Sequence, residues 1–241
     1  MSPPSPLASD TAMILAAGLG KRMRPLTASQ PKPMVRVAGK PLIDHALDRL
    51  RDAGITRAVI NVHYLADAME AHVRVRSEPT IAISDERDSL LETGGGLVKA
   101  QGLLPDPFFC LNSDNIWVDG PKNAFAELSQ GWDAEAMDAL LLLVPHKAAH
   151  NFGGAGDFHM DARGRLTRRR SGRIAPFIFT GIQLVSKRLL RDAPEGPFSI
   201  NVLWSRAIEE GRLFGYPFAG EWFEVGTPAS IRPTEEALAH G

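Results

Sequence analysis

The sequence lacks cysteine almost entirely: of 241 residues only Cys110 is one. No internal disulfide can form, which excludes a stapled, secreted scaffold. Cys110 lies in the apolar run Phe108-Phe109-Cys110-Leu111, where an inert core thiol is expected. Long apolar runs are also missing. The longest, Ala139 to Val144, falls far short of the ~20 residues of a spanning helix, so no membrane is expected as a partner. Charge of one sign is missing too. Lys and Arg total 27 against 28 Asp and Glu, a net charge of −1, and nothing points to nucleic acid or an anionic surface. The 7 histidines are scattered without metal-ligand spacing. Residues 1–10 are rich in Pro and Ser and have neither a basic nor an apolar segment of the signal-peptide kind. They read as a disordered lead-in, and the expected location is cytoplasmic.

What is present is an ordinary globular composition, 44% hydrophobic and 23% charged, in a chain long enough for a sizeable core. Short apolar runs at 12–16, 57–63, 80–84, 107–111 and 139–144 read as strands. Helical spacing recurs between them, at 41–53, 65–75, 95–104 and 121–130. In 41–53, Leu42, Ile43, Ala46, Leu47 and Leu50 form one apolar face, with Pro41 at the first turn and Gly54 as the stop. Strands that are apolar throughout and alternate with helices predict a Rossmann-like α/β fold: a mixed, mostly parallel sheet flanked by helices. Ligands in such sheets bind at the carboxyl ends of the strands. Gly18 and Asp114 both stand at predicted carboxyl ends.

After residue 145 the rhythm changes. A hairpin is expected around Ala162-Arg163-Gly164, then a strand at 175–185, helices at 186–191 and 199–210, strands at 213–218 and 222–225, and a last helix at 228–239. These elements read as a small lid built onto the same sheet. Residues 11–241 are taken as one domain of two parts, 11–145 and 146–241.

The first strand feeds Ala17-Gly18-Leu19-Gly20-Lys21-Arg22-Met23-Arg24. Gly18 and Gly20 let the backbone approach a ligand and leave N–H groups for phosphate oxygens, while Lys21, Arg22 and Arg24 add positive charge. The stretch is not a Walker A loop, and Met23 stands where a dinucleotide fingerprint needs its third glycine. Taken alone it also fits a surface turn with solvated charges. Lys32 is held between Pro31 and Pro33, which restrict the backbone on both sides.

Leu15-Ala16-Ala17-Gly18-x-Gly20-x-Arg22-Met23-x-Pro25-Leu26-Thr27, then Pro31-Lys32-Pro33-Met34, then Val37-x-Gly39-Lys40-Pro41-Leu42 resembles the signature of the sugar-1-phosphate nucleotidylyltransferases. Further matches extend the resemblance over most of the chain: Glu92-Thr93-Gly94-Gly95-Gly96, Asn112-Ser113-Asp114-Asn115, Phe179-Thr180-Gly181-Ile182 and Trp222-x-Glu224-Val225-Gly226-Thr227-Pro228. The resemblance implies the reaction NTP + sugar 1-phosphate → NDP-sugar + pyrophosphate, with Mg²⁺. It implies that Leu15, Ala16, Ala17, Gly18, Gly20, Lys21 and Arg22, with Thr93 and Gly94, hold the nucleotide. Arg22, Lys32 and Asp114 are implied as the catalytic groups, and Asp114 and Glu224 as the metal ligands. The family usually places Asp at the position of Glu224, and the longer side chain leaves three alternatives open: it meets the metal directly, through a water, or less well.

Glu92, Asn115, Asn151, Asp157, Thr180 and Gly181 are implied as sugar contacts. Relatives carry a Glu-Lys-Pro segment near Arg168-Arg169-Arg170, and its lysine meets the sugar phosphate; here one of the arginines replaces it, or the run is a solvated hairpin edge. Trp222 either walls the sugar pocket or fills the core. The compact chain most resembles the uridylyl-transferring branch, which implies UTP and a sugar 1-phosphate as partners and a monomer or small homo-oligomer. Guanylyl transfer to mannose 1-phosphate stays open, as does a non-catalytic nucleotide-sensing subunit.

Overall fold

A computed structural model describes residues 6–240. The first strand, β1 (Thr11–Leu15), is followed by a two-stranded ribbon of β2 (Arg36–Val37) and β3 (Lys40–Pro41). Next come α1 (Leu42–Asp52), β4 (Arg57–Val62), α2 (Ala66–Val73), β5 (Thr80–Asp85), α3 (Glu92–Ala100), β6 (Phe108–Asn112), β7 (Asn115–Val118) and α4 (Ala124–Gly131). The remainder comprises β8 (Ala139–Pro145), β9 (Ala149–His150), β10 (Phe158–Met160), β11 (Leu166–Arg168), β12 (Phe177–Val185), α5 (Asn201–Glu209), β13 (Leu213–Pro217), β14 (Glu221–Glu224) and α6 (Ile231–His240).

The central sheet has nine strands. One path runs β11-β10-β12-β6-β1-β4-β5, and β12 also pairs β8, which pairs β13. Only β12 and β11 run against the others. The sheet is therefore mixed and mostly parallel, as expected.

The apolar runs divide their side chains between two faces. Ala12, Ile14, Phe109, Leu111, Leu140 and Leu142 join α1, α2 and α4 in one core. Met13, Phe108, Cys110, Leu141 and Leu143 join α3 and α5 in the other. Strands covered on both faces have no polar side to alternate, so their sequences are continuously apolar. Cys110 is buried, and burial pushes its thiol pKa up to about 12, in keeping with an inert core role. No helix among the described residues is long and apolar enough to cross a membrane.

Some elements differ from expectation. α3 begins at Glu92 rather than Gly95 and gives way to a 3-10 turn at Gln101–Leu103. Its glycines oppose helix on propensity, but they are where the neighbouring segment comes closest. A Cβ on Gly94 would lie 2.3 Å from the Phe198 ring, and one on Gly95 would lie 2.5 Å from the Gly196 carbonyl oxygen. β7 and β9 went unanticipated; with β14 they form a separate three-stranded sheet in the order β7-β14-β9. Of the expected lead-in, residues 1–5 lie outside the described residues. Leu7 and Ala8 pack against the core, and the Ala8 N–H donates to Ser129 Oγ at 3.0 Å.

Candidate active site

The carboxyl ends of β1 and β6 open on a cleft of about 590 Å³. The glycine loop leaves β1 under tight control. Ala16 N–H donates to Asn61 Oδ1 at 2.7 Å, and Asn61 Nδ2 donates to Glu86 Oε1 at 2.7 Å. Glu86 is fully buried, and its Oε2 accepts the Leu91 N–H at 3.2 Å. One buried carboxylate thus ties the loop after β1 to the segment that opens α3. Gly96 makes room for it, since a Cβ there would come 2.8 Å from Glu86 Oε1.

Gly18 has open space where a side chain would stand, and it lines the cleft. Gly20 has φ +60°, and a Cβ would come 2.8 Å from Lys32 Cβ, so this glycine lets the loop close onto the Pro31-Lys32-Pro33 turn. Thr27 Oγ1 fixes the closure by donating to the Gly20 carbonyl at 2.9 Å.

Lys32 reaches across the cleft and donates to Asp114 Oδ2. Asp114 caps the tight connection between β6 and β7, and Ser113 N–H in the same turn donates to the Leu15 carbonyl at 3.1 Å. Glu224 is the register partner of Asn115, the residue after Asp114, across β14 and β7. Arg22 Nη1 lies 3.7 Å from Glu224 Oε1. Beneath them Met23, Val35, Ile116, Phe223 and Val225 form a small third core that holds loop and strand together. The result alternates charge across a short distance: cations on the loop side, carboxylates on the strand side.

The cleft gathers Leu15, Ala16, Ala17, Gly18, Gly20, Lys21 and Arg22, together with Lys32, Glu92, Thr93 and Asp114. Thr93 Oγ1 accepts the Ile200 N–H at 2.9 Å. Gly94 is buried behind the surface, with its N–H donated to the Phe198 carbonyl. The expected sugar contacts scatter more. Glu92 is at the cleft with φ +59°. Asn115 is buried against Gly181, whose φ is +83°; a Cβ on Gly181 would come 2.2 Å from Asn115 Nδ2. Thr180 is fully buried and donates to the Leu142 carbonyl. Asn151 is tied to α6 through Thr234 Oγ1 at 3.0 Å. Trp222 is buried in the core, its Nε1 donating to Asn115 Oδ1 at 3.4 Å.

Asp157 lines a second cavity of about 360 Å³ with Arg168, Arg169, Phe179, Asn201 and Trp204. Arg169 spends its guanidinium on the Gly156 and Arg173 carbonyls. Sequence reasoning missed Asn61 and Glu86. The visible signal was a polar residue at the end of an apolar strand, but its partner lies 25 residues on and is recognisable only in space.

Residues 11–167 match the profile of the nucleotidyl transferase family. The chain belongs to this family. It is 44% identical over 233 residues to an N-acetylmuramate alpha-1-phosphate uridylyltransferase of Caulobacter vibrioides, covering 95% of this chain and 96% of that protein. It is 35% identical over 238 residues to the protein of that name from Neisseria meningitidis serogroup B, covering 95% and 97%. The inositol-1-phosphate CTP transferase from T. maritima shares the fold, with a TM-score of 0.79, 17% identity and 96% of each chain covered. The nucleotidyl transferase profile ends at residue 167, yet the cleft also takes Ser199 and Gly226 from beyond it.

Proposed function

We propose that the chain transfers a uridylyl group from UTP to N-acetylmuramate 1-phosphate, releasing pyrophosphate, and serves the reuse of cell-wall sugars. The full-length similarity to uridylyltransferases of that substrate carries the reading. The reaction needs no covalent enzyme intermediate. The sugar phosphate oxygen attacks the α-phosphorus and pyrophosphate leaves in line, so the protein's work is positioning and charge stabilisation.

In this reading the loop N–H groups from Ala17 to Gly20 cradle the triphosphate, and Lys21 and Arg22 hold its β- and γ-phosphates. Lys32 sits between the α-phosphate and the incoming phosphate. Its ammonium neutralises charge that builds there, and in the free protein it pairs with Asp114. Glu92 and Asp157 offer carboxylates to sugar hydroxyls.

The donor set suits Mg²⁺. Asp114, which lines the cleft, and Glu224, which lies against the cleft-lining Arg22, are both partly exposed hard carboxylates, and Mg²⁺ takes one or two carboxylates with phosphate oxygens completing its shell. When bound, the ion would supply charge neutralisation at the α- and β-phosphate oxygens. Arg22 and Lys32 occupy the same carboxylates in the free protein and would move toward phosphate as substrates enter.

The test is pyrophosphate release from a matrix of nucleoside triphosphates and sugar 1-phosphates with Mg²⁺. The fastest release is expected with UTP and N-acetylmuramate 1-phosphate. Release only with GTP and mannose 1-phosphate would replace the assignment, and release in no combination would remove the enzyme reading.

A further inference from the structure

The second cavity sets a cation and a carboxylate, Arg168 and Asp157, on its wall with no ion pair between them. Arg168 ends β11, with its guanidinium 5.7 Å from the centre of the Phe158 ring. It donates one hydrogen bond, from Nη2 to the Asn201 carbonyl at 3.1 Å, and makes no ion pair among the described residues. Arginine carries five N–H donors, so most of the fork remains available. Asp157 lines the same cavity, but its Oδ2 accepts the Phe179 N–H at 2.9 Å. Desolvation lowers the Arg168 pKa from the ordinary arginine value, an effect the Asp157 charge only partly offsets.

This cavity adjoins the nucleotide cleft. Ser199 lines the cleft and Asn201 lines the cavity, and Asn201 Nδ2 donates to Ser199 Oγ at 3.1 Å. A ligand that fills the cleft can therefore extend past Ser199 toward Arg168. Lys21, Arg22 and Lys32, the cations assigned above to the phosphates, line the cleft side. An anion at Arg168 belongs to a different part of the substrate.

We propose that Arg168 forms a carboxylate subsite and selects sugar 1-phosphates that carry an acidic substituent. The inference rests on the substrate assigned above. N-acetylmuramate differs from N-acetylglucosamine by a lactyl ether ending in a carboxylate, which is the one extra anion such a substrate brings. A planar, exposed guanidinium over the Phe158 ring suits the two oxygens of a carboxylate in fork geometry. Asp157, on the same wall, repels that carboxylate from its own side and leaves the Arg168 side as its seat.

The test compares kcat/KM for N-acetylmuramate 1-phosphate and N-acetylglucosamine 1-phosphate at saturating UTP, in the wild type, Arg168→Ala and Arg168→Lys. Arg168→Ala should lower the ratio by about 10- to 100-fold, chiefly through KM for the muramate substrate, the scale of one charge-assisted interaction. Arg168→Lys keeps the charge without the fork and should fall between. The rise in Tm on adding UTP reports a folded cleft. If Arg168→Ala has lost it, Arg168→Lys carries the same ratio test.

A wild-type preference that survives in the variants overturns the subsite. Equal losses on both sugars also overturn it, because they place Arg168 on the shared phosphate. A wild type that does not prefer the muramate substrate overturns the substrate assignment itself.

Discussion

Two glycine-rich stretches look alike on paper and do opposite things in the fold. Gly18 faces empty space at the mouth of the cleft, and no protein atom stands within 4 Å of where its side chain would be. Gly94, Gly95 and Gly96 face protein: the Phe198 ring, the Gly196 carbonyl and Glu86. On the proposed function the first stretch is bare so that a ligand can approach its backbone. The second is bare so that other parts of the chain can. Glycine alone does not say which; what fills the missing volume does.

The largest expected effect lies on the ligand side. Lys32→Ala and Asp114→Ala should each lower turnover by at least ~10²-fold, the scale for removing one preorganised charge from a reacting centre. Near-wild-type rates in both would mean that the open side of the cleft does not carry the chemistry.

The glycine pair gives a more direct contrast. Gly94→Ala drives a methyl group into Phe198, which should cost near the top of the ~1–3 kcal/mol range for overpacking and lower Tm by about 5 °C or more. Gly18→Ala should leave the Tm of the free protein within about 1 °C, yet raise the KM for the nucleotide about tenfold by blocking the backbone's approach. Thermal melting and nucleotide titration on the two variants decide the matter. The same pattern in both would erase the distinction.

The smallest effect joins the two stretches. Glu86→Gln keeps the shape but offers one acceptor oxygen where Asn61 Nδ2 and the Leu91 N–H need two. One buried donor loses its partner, at a cost of about 1 kcal/mol or somewhat more. Because Asn61 also holds the Ala16 N–H, a modest fall in Tm should come with a rise in the KM for nucleotide. A fall in Tm with an unchanged KM would show that the stretches are anchored independently.

The loop side of the cleft, proposed to hold the nucleotide, was legible as a cluster from the chain alone because its parts are local. The loop residues from Leu15 to Arg22 follow one another, and Lys32 is fixed by its two prolines. The sugar side was not. Thr180, Asn115 and Asn151 are polar residues of the kind that bind sugars, but Thr180 donates to Leu142, Asn115 lies beneath Gly181, and Asn151 is bound to α6. Satisfying a buried backbone group and contacting a ligand call for the same side chains. The Arg168-Arg169-Arg170 run shows the same limit. Its first two residues are separated by pairing: Arg169 is occupied by the Gly156 and Arg173 carbonyls, and Arg168 faces the cavity.

The sequence by itself determined the sheet of apolar strands, the glycine loop and the family, because periodicity, turn chemistry and a contiguous motif are properties of neighbouring residues. Only the tertiary structure decided that Glu224 pairs in register with the residue after Asp114, that Glu86 braces both glycine stretches, and that Arg168 makes no ion pair among the described residues. Each of these depends on distances between residues far apart in the chain. Glu224 comes opposite Asn115, next in the chain to Asp114, through the pairing of β14 with β7, a strand too short to announce itself.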